Sequence, residues 1–235
     1  MNKLHKEILE MIQAKAGQNA SEAERGSSYG GHKDLNYDLS RPEERQLAKD
    51  FLKAHPDLTS NEFTELLDAL YTGESTNEKS IAGLLLENHT KFRKKINPRK
   101  IDEWLDNLHG WLQVDSFCQS NFTAKEVLAR WKDWETLIRS LNRSKNINKR
   151  RASLVLLVKS CRESEEEKLA ELALEMIDNV KEEEYILITK AISWLLREMI
   201  KKHRHRVENY LDENKETLPA VAIRETTNKL KKGKK

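Results

Sequence analysis

Trp111 and Asp115 are the residues of this 235-residue chain whose types and spacing first suggest a chemistry. They are four residues apart, so on a helix they project from one face about one turn apart. An indole and a carboxylate would then stand side by side. The same spacing also fits a core tryptophan beside a surface aspartate, so spacing alone leaves both interpretations open.

The composition predicts that these residues lie on helices. The chain has only 8 Gly and 4 Pro, and 34% of its residues are charged, which is typical of amphipathic helices rather than of a sheet protein. Its length allows one large domain or two small ones with a sizeable core. We therefore expect an all-α protein.

Helix starts are predicted by N-cap hydroxyls that are followed three residues later by glutamate. These pairs are Ser40 with Glu43, Thr59 with Glu62, Ser75 with Glu78, Thr123 with Glu126, and Ser164 with Glu167. A first helix is expected at roughly 3–16, ended by Gly17, and Asn97 with Pro98 predicts the start of another. Later helices are expected at roughly 124–141, 147–160, 164–180, 183–202, 204–213 and 216–230.

Successive helices joined by short loops form antiparallel hairpins. About six stacked hairpins of roughly 35–40 residues each predict an α-solenoid of the HEAT kind. We expect a single domain over residues 1–230, followed by a basic tail at residues 231–235. A curved solenoid has a concave face, which suits a long, rod-like partner.

Basic clusters are expected near several predicted helix ends, although the net charge is only +3. Cations and helix N-termini together favour phosphate, so a duplex backbone fits as a ligand and the concave face is expected to be positive. Lysine-rich helix ends are also ordinary solvated surface, and that alternative stays open for any single cluster. The clusters are Lys91, Arg93, Lys94, Lys95, Arg99 and Lys100; Lys145, Lys149, Arg150 and Arg151; Lys201, Lys202, Arg204 and Arg206; and residues 229–235.

The cysteines and histidines do not form a recognisable metal or disulfide pattern. Cys118 and Cys161 have neither metal-ligand spacing nor the density of a disulfide scaffold, so we expect buried thiols and a reducing compartment. His203 and His205 point to different sides of a helix, which argues against zinc. The N-terminus lacks a signal-peptide core and no run approaches the roughly 20 apolar residues of a membrane span, so a soluble, cytoplasmic protein is expected.

The chain contains W-L-Q-V-D at residues 111–115, N-K-R-R-A-S-L at 148–154 and T-K-A-I-S-W-L-L-R-E at 189–198. It also contains P-E-E-R at 42–45 and L-P-A-V-A-I-R-E at 218–225. With these motifs in this order, the chain resembles the DNA alkylation repair proteins of the AlkD family over nearly its whole length. The resemblance implies a HEAT-like fold that binds duplex DNA in its concave cleft without flipping the base into a deep pocket.

The resemblance also implies roles for individual residues. Asp115 matches the catalytic aspartate of the family, and Trp111 and Trp194 match its two lesion-binding tryptophans. Arg151 matches an arginine near the lesion phosphates, with Arg150 as the alternative if the register shifts by one. On these correspondences, one carboxylate and two indoles would surround the damaged nucleotide.

Further residues are expected around Trp194 and in the glycine-rich segment at residues 25–33. The helix that contains Trp194 should leave this side chain about a quarter turn off its apolar stripe. Lys190 and Arg197 share its side and are candidate phosphate contacts. Tyr29 matches a tyrosine that lines the family's cleft, although its glycine-rich surroundings depart from the family pattern.

The implied activity is that of a monofunctional DNA glycosylase, a hydrolase of base excision repair acting on purines alkylated at N3 or N7. Such a base is already cationic and leaves readily, so one carboxylate suffices and no metal or cofactor is implied. The expected partner is double-stranded DNA with alkylated bases, bound by a monomer associated with the bacterial nucleoid. The alternatives are a non-catalytic relative that binds damaged or branched DNA, and a HEAT scaffold for proteins with both tryptophans in its core.

Overall fold

The computed structural model describes residues 2–16, 21–23 and 34–233, which divide into unit 1 (Met1–Asn121) and unit 2 (Phe122–Lys235). Unit 1 contains α1 (Lys3–Ala16), β1 (Ser21–Ala23), β2 (Asp34–Asn36), α2 (Arg41–Ala54), α3 (Ser60–Tyr71), α4 (Thr76–Asn88), α5 (Thr90–Arg93), α6 (Pro98–Leu105) and α7 (Gly110–Asn121). Unit 2 contains α8 (Ala124–Ala129), α9 (Trp131–Asn142), α10 (Ile147–Glu163), α11 (Glu167–Asp178), α12 (Ile186–Glu213) and α13 (Ala220–Lys232).

The all-α expectation is confirmed for the described chain apart from one short ribbon. Strands β1 and β2 are antiparallel and pair Ser21 with Asn36 and Ala23 with Asp34. Each strand has only three residues, too few for an alternating apolar pattern to be recognised in the sequence.

Capping boxes begin many of the helices. Four of the five predicted pairs are confirmed, with Ser40, Thr59, Ser75 and Thr123 as N-caps. In the second of these, the hydrogen bond from the Thr59 hydroxyl lowers the pKa of Glu62. The helix predicted at Asn97 and Pro98 is also confirmed, because the Asn97 side chain accepts a hydrogen bond from the first turn of α6.

Ser164 does not cap the next helix, so the fifth prediction was wrong. This serine is the C-cap of α10, and its hydroxyl oxygen accepts a hydrogen bond from the amide of Glu166 at 3.2 Å. Glu166 is then the N-cap of α11, which begins at Glu167. The serine–glutamate spacing is present, but the hydroxyl is used by a nearer amide.

Two residues with non-helical backbone angles test the predicted helix boundaries. The range 124–141 was predicted as one helix, but Arg130 (φ −129°, ψ 45°) separates α8 from α9. The predicted separation between 183–202 and 204–213 is confirmed, since His203 (φ −128°, ψ 38°) interrupts α12. Its Nε2 donates to the backbone carbonyl of Ser164 at 2.9 Å, which ties this break to the end of α10.

The core of unit 1 surrounds α4, which packs against α2, α3 and α7. A cluster of aromatic rings packs α7 against the rest of this unit. The Tyr71 ring stacks on Trp104 with 4.9 Å between ring centroids, and Phe117 of α7 meets Tyr71 edge-on at 5.6 Å. The indole N–H of Trp104 donates to Asp68 at 2.8 Å, so this buried ring also has its polar atom satisfied.

The core of unit 2 surrounds α10, which packs against α8, α9, α11 and α12. Residues 151–158 of this helix are all buried, as expected of a helix that is enclosed on every side. Each unit therefore has its own core. The single domain expected over residues 1–230 stays a prediction. No helix in the described ranges is both long enough and apolar enough to cross a membrane.

Candidate functional site

Helix α7 begins at Gly110, whose φ is +67°. This left-handed conformation favours glycine, because a Cβ would crowd the backbone. The helix then places Val114, Phe117 and Cys118 in the buried core of unit 1. The local sequence therefore sets both the first residue of α7 and the face that it buries.

Trp111 and Asp115 lie on one flank of α7, next to its buried face. Their spacing places them one turn apart, and both side chains are partly exposed. The fully buried tryptophan of this unit is instead Trp104. Unit 1 therefore presents an indole and a carboxylate side by side at its surface.

The other flank of α7 borders a cavity of about 330 Å³. Leu112, Gln113 and Ser116 line it from α7, while Tyr71 and Gly83 line it from α3 and α4. The pKa of Tyr71 is raised well above its usual value, mainly by burial. Side-chain packing beside α7 is therefore incomplete on this flank.

A buried carboxylate stabilises the polar wall of the same cavity. Glu44 of α2 accepts hydrogen bonds from Arg41 at 3.0 Å, from Asn77 at 2.9 Å and from the Ser80 hydroxyl at 2.6 Å. Arg41 also reaches the hydroxyl of Ser116 at 3.4 Å. These contacts join α2, α4 and α7 through charge-assisted hydrogen bonds.

In unit 2, Trp194 lies beside the buried stripe of α12, as the sequence predicted. The stripe is fully buried and Trp194 is partly exposed. Its residues are Ile188, Ile192, Leu195 and Met199. Neither Trp194 nor Trp111 is a core residue, so the scaffold alternative with both indoles in the core is not supported.

The cations next to Trp194 share a carboxylate that sequence reasoning missed. Glu225 of α13 lies 3.5 Å from Lys190 Nζ and 3.5 Å from Arg197 Nη2, and it accepts a hydrogen bond from the Ser193 hydroxyl at 2.7 Å. Ser193 is 32 residues from Glu225 in the chain. The residue is in the closing motif at 218–225, but only the fold brings it to α12.

The two candidate arginines of α10 both have protein partners. The Nε and Nη2 groups of Arg150 donate to the two carboxylate oxygens of Glu183 at 2.8 and 2.9 Å, and Nη1 donates to the carbonyls of Ser144 and Lys145. This fork joins α10 to the segment before α12. Arg150 therefore has a structural role in the fold.

Arg151 is 5% exposed, and its Nη1 donates to the backbone carbonyl of Leu187 in α12. This contact fixes the guanidinium near the start of the helix that contains Trp194. The structure thus brings Arg151 to the N-terminal end of α12, while Trp194 follows about two turns later along the same helix.

Many of the other predicted basic residues are ion-paired or buried. Arg93 is buried and donates to the carbonyls of Leu86 and Glu87 at the end of α4, at 2.9 and 3.2 Å. Hydrogen bonds with Glu103 and Asp68 raise the pKa of Lys100. In the third cluster the partners are Glu198 for Lys201, Glu165 for Lys202, Glu208 for Arg204, and Glu167 and Glu171 for Arg206.

Tyr29 and residues 234–235 lie outside the described residues. Among those that are described, no three His, Cys, Asp or Glu side chains are grouped so that they could hold a metal ion. Both cysteines are buried, as predicted, and burial raises the pKa of the Cys161 thiol to about 12.

Comparison with known proteins gives a fold and a family. A solved structure described as a predicted DNA alkylation repair enzyme from Enterococcus faecalis is similar to this chain, with a TM-score of 0.67 and 21% sequence identity over 83% of this chain and 87% of that one. At this identity the likeness concerns the fold alone. No curated protein matches the chain. The family model for the DNA alkylation repair enzyme matches residues 12–230, and because this match spans most of the sequence, the chain belongs to that family.

Proposed function

We propose that this protein is a DNA glycosylase that hydrolyses the bond between deoxyribose and a purine alkylated at N3 or N7. Membership of the DNA alkylation repair family implies DNA as the partner. The finer assignment depends on one observation, the partly exposed pair formed by Trp111 and Asp115 on one flank of α7.

The proposed reaction needs little from the enzyme beyond electrostatics. The bond between C1′ and the base nitrogen breaks, its electron pair neutralises the cationic purine, and positive charge develops on the sugar. The Asp115 carboxylate stabilises this oxocarbenium-like charge and orients a water that attacks C1′. The water releases a proton, and the products are an abasic deoxyribose and the free base.

The two indoles are assigned to DNA binding. An N3- or N7-alkylated purine is a cation, and an indole face attracts a cation by about 0.5–2 kcal/mol depending on desolvation. Trp111 would offer such a face to the damaged nucleotide, and Trp194 is proposed as a further aromatic contact for DNA. Their partial exposure supports this role, since a core indole would be inaccessible.

DNA binding is assigned to an α-solenoid with a basic concave face. The phosphate contacts proposed are Lys190 and Arg197, which lie on α12 with Trp194, and Arg151 of α10, whose guanidinium lies at the N-terminal end of α12. Arg150 is a weaker candidate, because its donors are already engaged by Glu183 and two carbonyls. A phosphate at Lys190 or Arg197 would compete with Glu225 for the same cations.

The test is single-turnover release of free base from a duplex with one N7-methylguanine, at saturating enzyme. Wild type should release the base, and Asp115→Asn should slow release by roughly 100-fold or more, the scale of losing one preorganised electrostatic contact. Its fold and DNA affinity should stay close to those of wild type. Asp212→Asn, which removes the same charge from an exposed position on α12, is the matched control and should release base at the wild-type rate.

Other outcomes separate the alternatives. Salt-dependent binding of the duplex without any base release would favour a non-catalytic DNA-binding protein. Equal release by wild type and Asp115→Asn would remove the catalytic role from Asp115 while leaving the enzyme assignment intact. The absence of both binding and release would favour a scaffold for protein partners.

A further inference from the structure

We propose that Gln113 is a positioning residue, held by a buried Lys79–Asp34 ion pair, which fixes the first turn of α7 and with it the direction of Trp111 and Asp115. Its consequence for catalysis depends on the proposed function, because it acts through Asp115. The structural part of the proposal concerns unit 1 alone. It connects three elements that are distant in sequence, namely β2, α4 and α7.

Gln113 uses both ends of its amide group. Its Oε1 accepts a hydrogen bond at 2.9 Å from the backbone amide of His109, the residue just before α7. Its Nε2 donates to Oδ2 of Asp34 in β2. The two partners fix the orientation of the amide, because a backbone N–H requires the oxygen and a carboxylate requires the NH₂ group.

The hydrogen bonds of Gln113 form a bridge from α7 to Asp34, and Asp34 is itself part of an ion pair inside unit 1. Lys79 Nζ of α4 lies 3.0 Å from Asp34 Oδ1, and the two side chains are 6% and 7% exposed. A buried pair of this kind has little freedom to rearrange, since either charge alone would be strongly disfavoured there. Gln113 is therefore attached to a rigid point in the core of the unit.

The location of the bridge explains why it should matter for geometry. The first turn of a helix has amides without partners inside the helix, and α7 starts from the left-handed Gly110. On the Gln113 flank, the cavity of about 330 Å³ leaves α7 without close packing. On this flank, the hydrogen bonds of Gln113 therefore supply the contacts that orient the start of the helix, in addition to the packing of its buried face.

Trp111 and Asp115 are on the same turns of α7 as Gln113, two residues to either side of it. A small rotation or shift of the helix start would move the indole and the carboxylate together. Reactions that depend on preorganised groups lose roughly 100-fold in rate for a displacement of about 1 Å. Loss of the bridge should therefore affect chemistry more than DNA affinity.

The test compares wild type with Gln113→Leu in two measurements. Single-turnover release of N7-methylguanine from duplex DNA should slow by roughly 10- to 100-fold, with DNA affinity changed less than about threefold. Hydrogen exchange should become faster in a peptide that covers residues 107–116 and stay unchanged elsewhere in unit 1. Gln46→Leu is the matched control, because this exposed glutamine of α2 donates a hydrogen bond to Asp50 in its own helix, and it should change neither measurement.

A charge exchange tests the bridge itself. Gln113→Glu alone places two carboxylates face to face and should behave like Gln113→Leu. Adding Asp34→Asn restores a complete bridge with its polarity reversed, because the asparagine amide can donate to the new carboxylate and its oxygen can still accept from Lys79. The double variant should recover both the rate and the slow exchange, which a general loss of stability would not.

The outcomes of the two proposals are distinguishable. If wild type releases no base, the proposed glycosylase function fails, and hydrogen exchange alone then decides whether Gln113 positions α7. Wild-type rate and exchange in Gln113→Leu would overturn the positioning role, as would a double variant that stays as impaired as Gln113→Glu. If Gln113→Leu does not fold, the comparison between Gln113→Glu and the double variant remains decisive.

Discussion

The guanidinium of Arg197 and the carboxylate of Glu225 lie 3.5 Å apart, and each side chain is only 13% exposed. Glu225 faces Lys190 as well, so one anion faces two of the cations proposed to bind phosphate. Partial burial strengthens this interaction relative to a fully exposed pair. Any phosphate that binds to Lys190 or Arg197 must therefore displace Glu225 from these cations or share them with it.

We predict that Glu225→Gln increases affinity for undamaged duplex DNA by roughly 3- to 10-fold at low salt, because two cations become available for phosphate. The gain should decrease as salt rises. Fluorescence anisotropy titrations at about 50 to 300 mM salt measure both effects, because the Debye length shortens across this range. Glu208→Gln, which removes the same charge from the pair with Arg204, is the control. An equal gain in affinity in this variant would show that the effect comes from net charge and not from Glu225 itself.

We predict that Arg151→Ala weakens binding of damaged and undamaged duplex to a similar degree, because a phosphate contact does not depend on the base. The salt slope, which is the slope of log affinity against log salt concentration, should decrease in magnitude by about one. Arg150→Ala should instead lower the free energy of unfolding by about 1–3 kcal/mol, since it breaks a charge-assisted fork and frees two carbonyls. Urea denaturation and anisotropy on both variants check this division. Glu183→Gln should reproduce the stability loss of Arg150→Ala, and a salt slope that falls only in Arg150→Ala would reverse the assignment.

We predict that two glycines of unit 1 respond in opposite directions to alanine. A Cβ at Gly83 would come no closer than 4.0 Å to the Tyr71 hydroxyl, the nearest atom found outside its own helix among the described residues. Glycine inside a helix costs about 0.5–1 kcal/mol relative to alanine. A Cβ at Gly73 would overlap the carboxylate of Glu78, which Ser75 and His5 hold in place. Gly83→Ala should therefore be stabilising and Gly73→Ala destabilising by about 1–3 kcal/mol in urea titrations. The same sign for both would contradict the packing described around α4.

We predict that the free energy of unfolding decreases as pH rises from 9 towards 12, the interval between the ordinary and the native pKa of Cys161. Burial raises this pKa, so the native thiol keeps its proton while the unfolded chain loses it. One such group contributes a slope of about 1.4 kcal/mol per pH unit. Cys161→Ala should show a shallower decline in urea titrations at several pH values, and parallel curves for the two proteins would exclude Cys161 as the cause.

The sequence predicted the features that depend on neighbouring residues. Ser75 and Thr123 could be identified as N-caps because the glutamate that completes each box is only three residues away. The interruption at His203 agrees with the boundary expected between the helices at 183–202 and 204–213. Ser164 shows the limit of this reasoning, because its hydroxyl had a choice of nearby amides and the residue pattern alone does not distinguish them.

The features that depend on tertiary distance were not accessible. Nothing near Arg197 in the sequence indicates that Glu225 neutralises it, and nothing near Gln113 indicates Asp34, 79 residues away. The basic clusters were therefore recognised as cations, while the carboxylates opposite them were missed. Trp111 and Asp115 were easier to pair because a single helix is enough to bring them together.

The contacts among the helices have a consequence for how the chain folds. Within unit 1, α4 packs on α2 and α3, and within unit 2, α10 packs on α9 and α11, so much of each core forms between segments that are close in sequence. Such contacts cost little loop-closure entropy and are typical of rapid folding. Protease treatment of ribosome-bound chains should detect a protected fragment that ends near residue 121. The first core would then be complete while the ribosome is still synthesising α10 and α12, and folding would keep pace with translation.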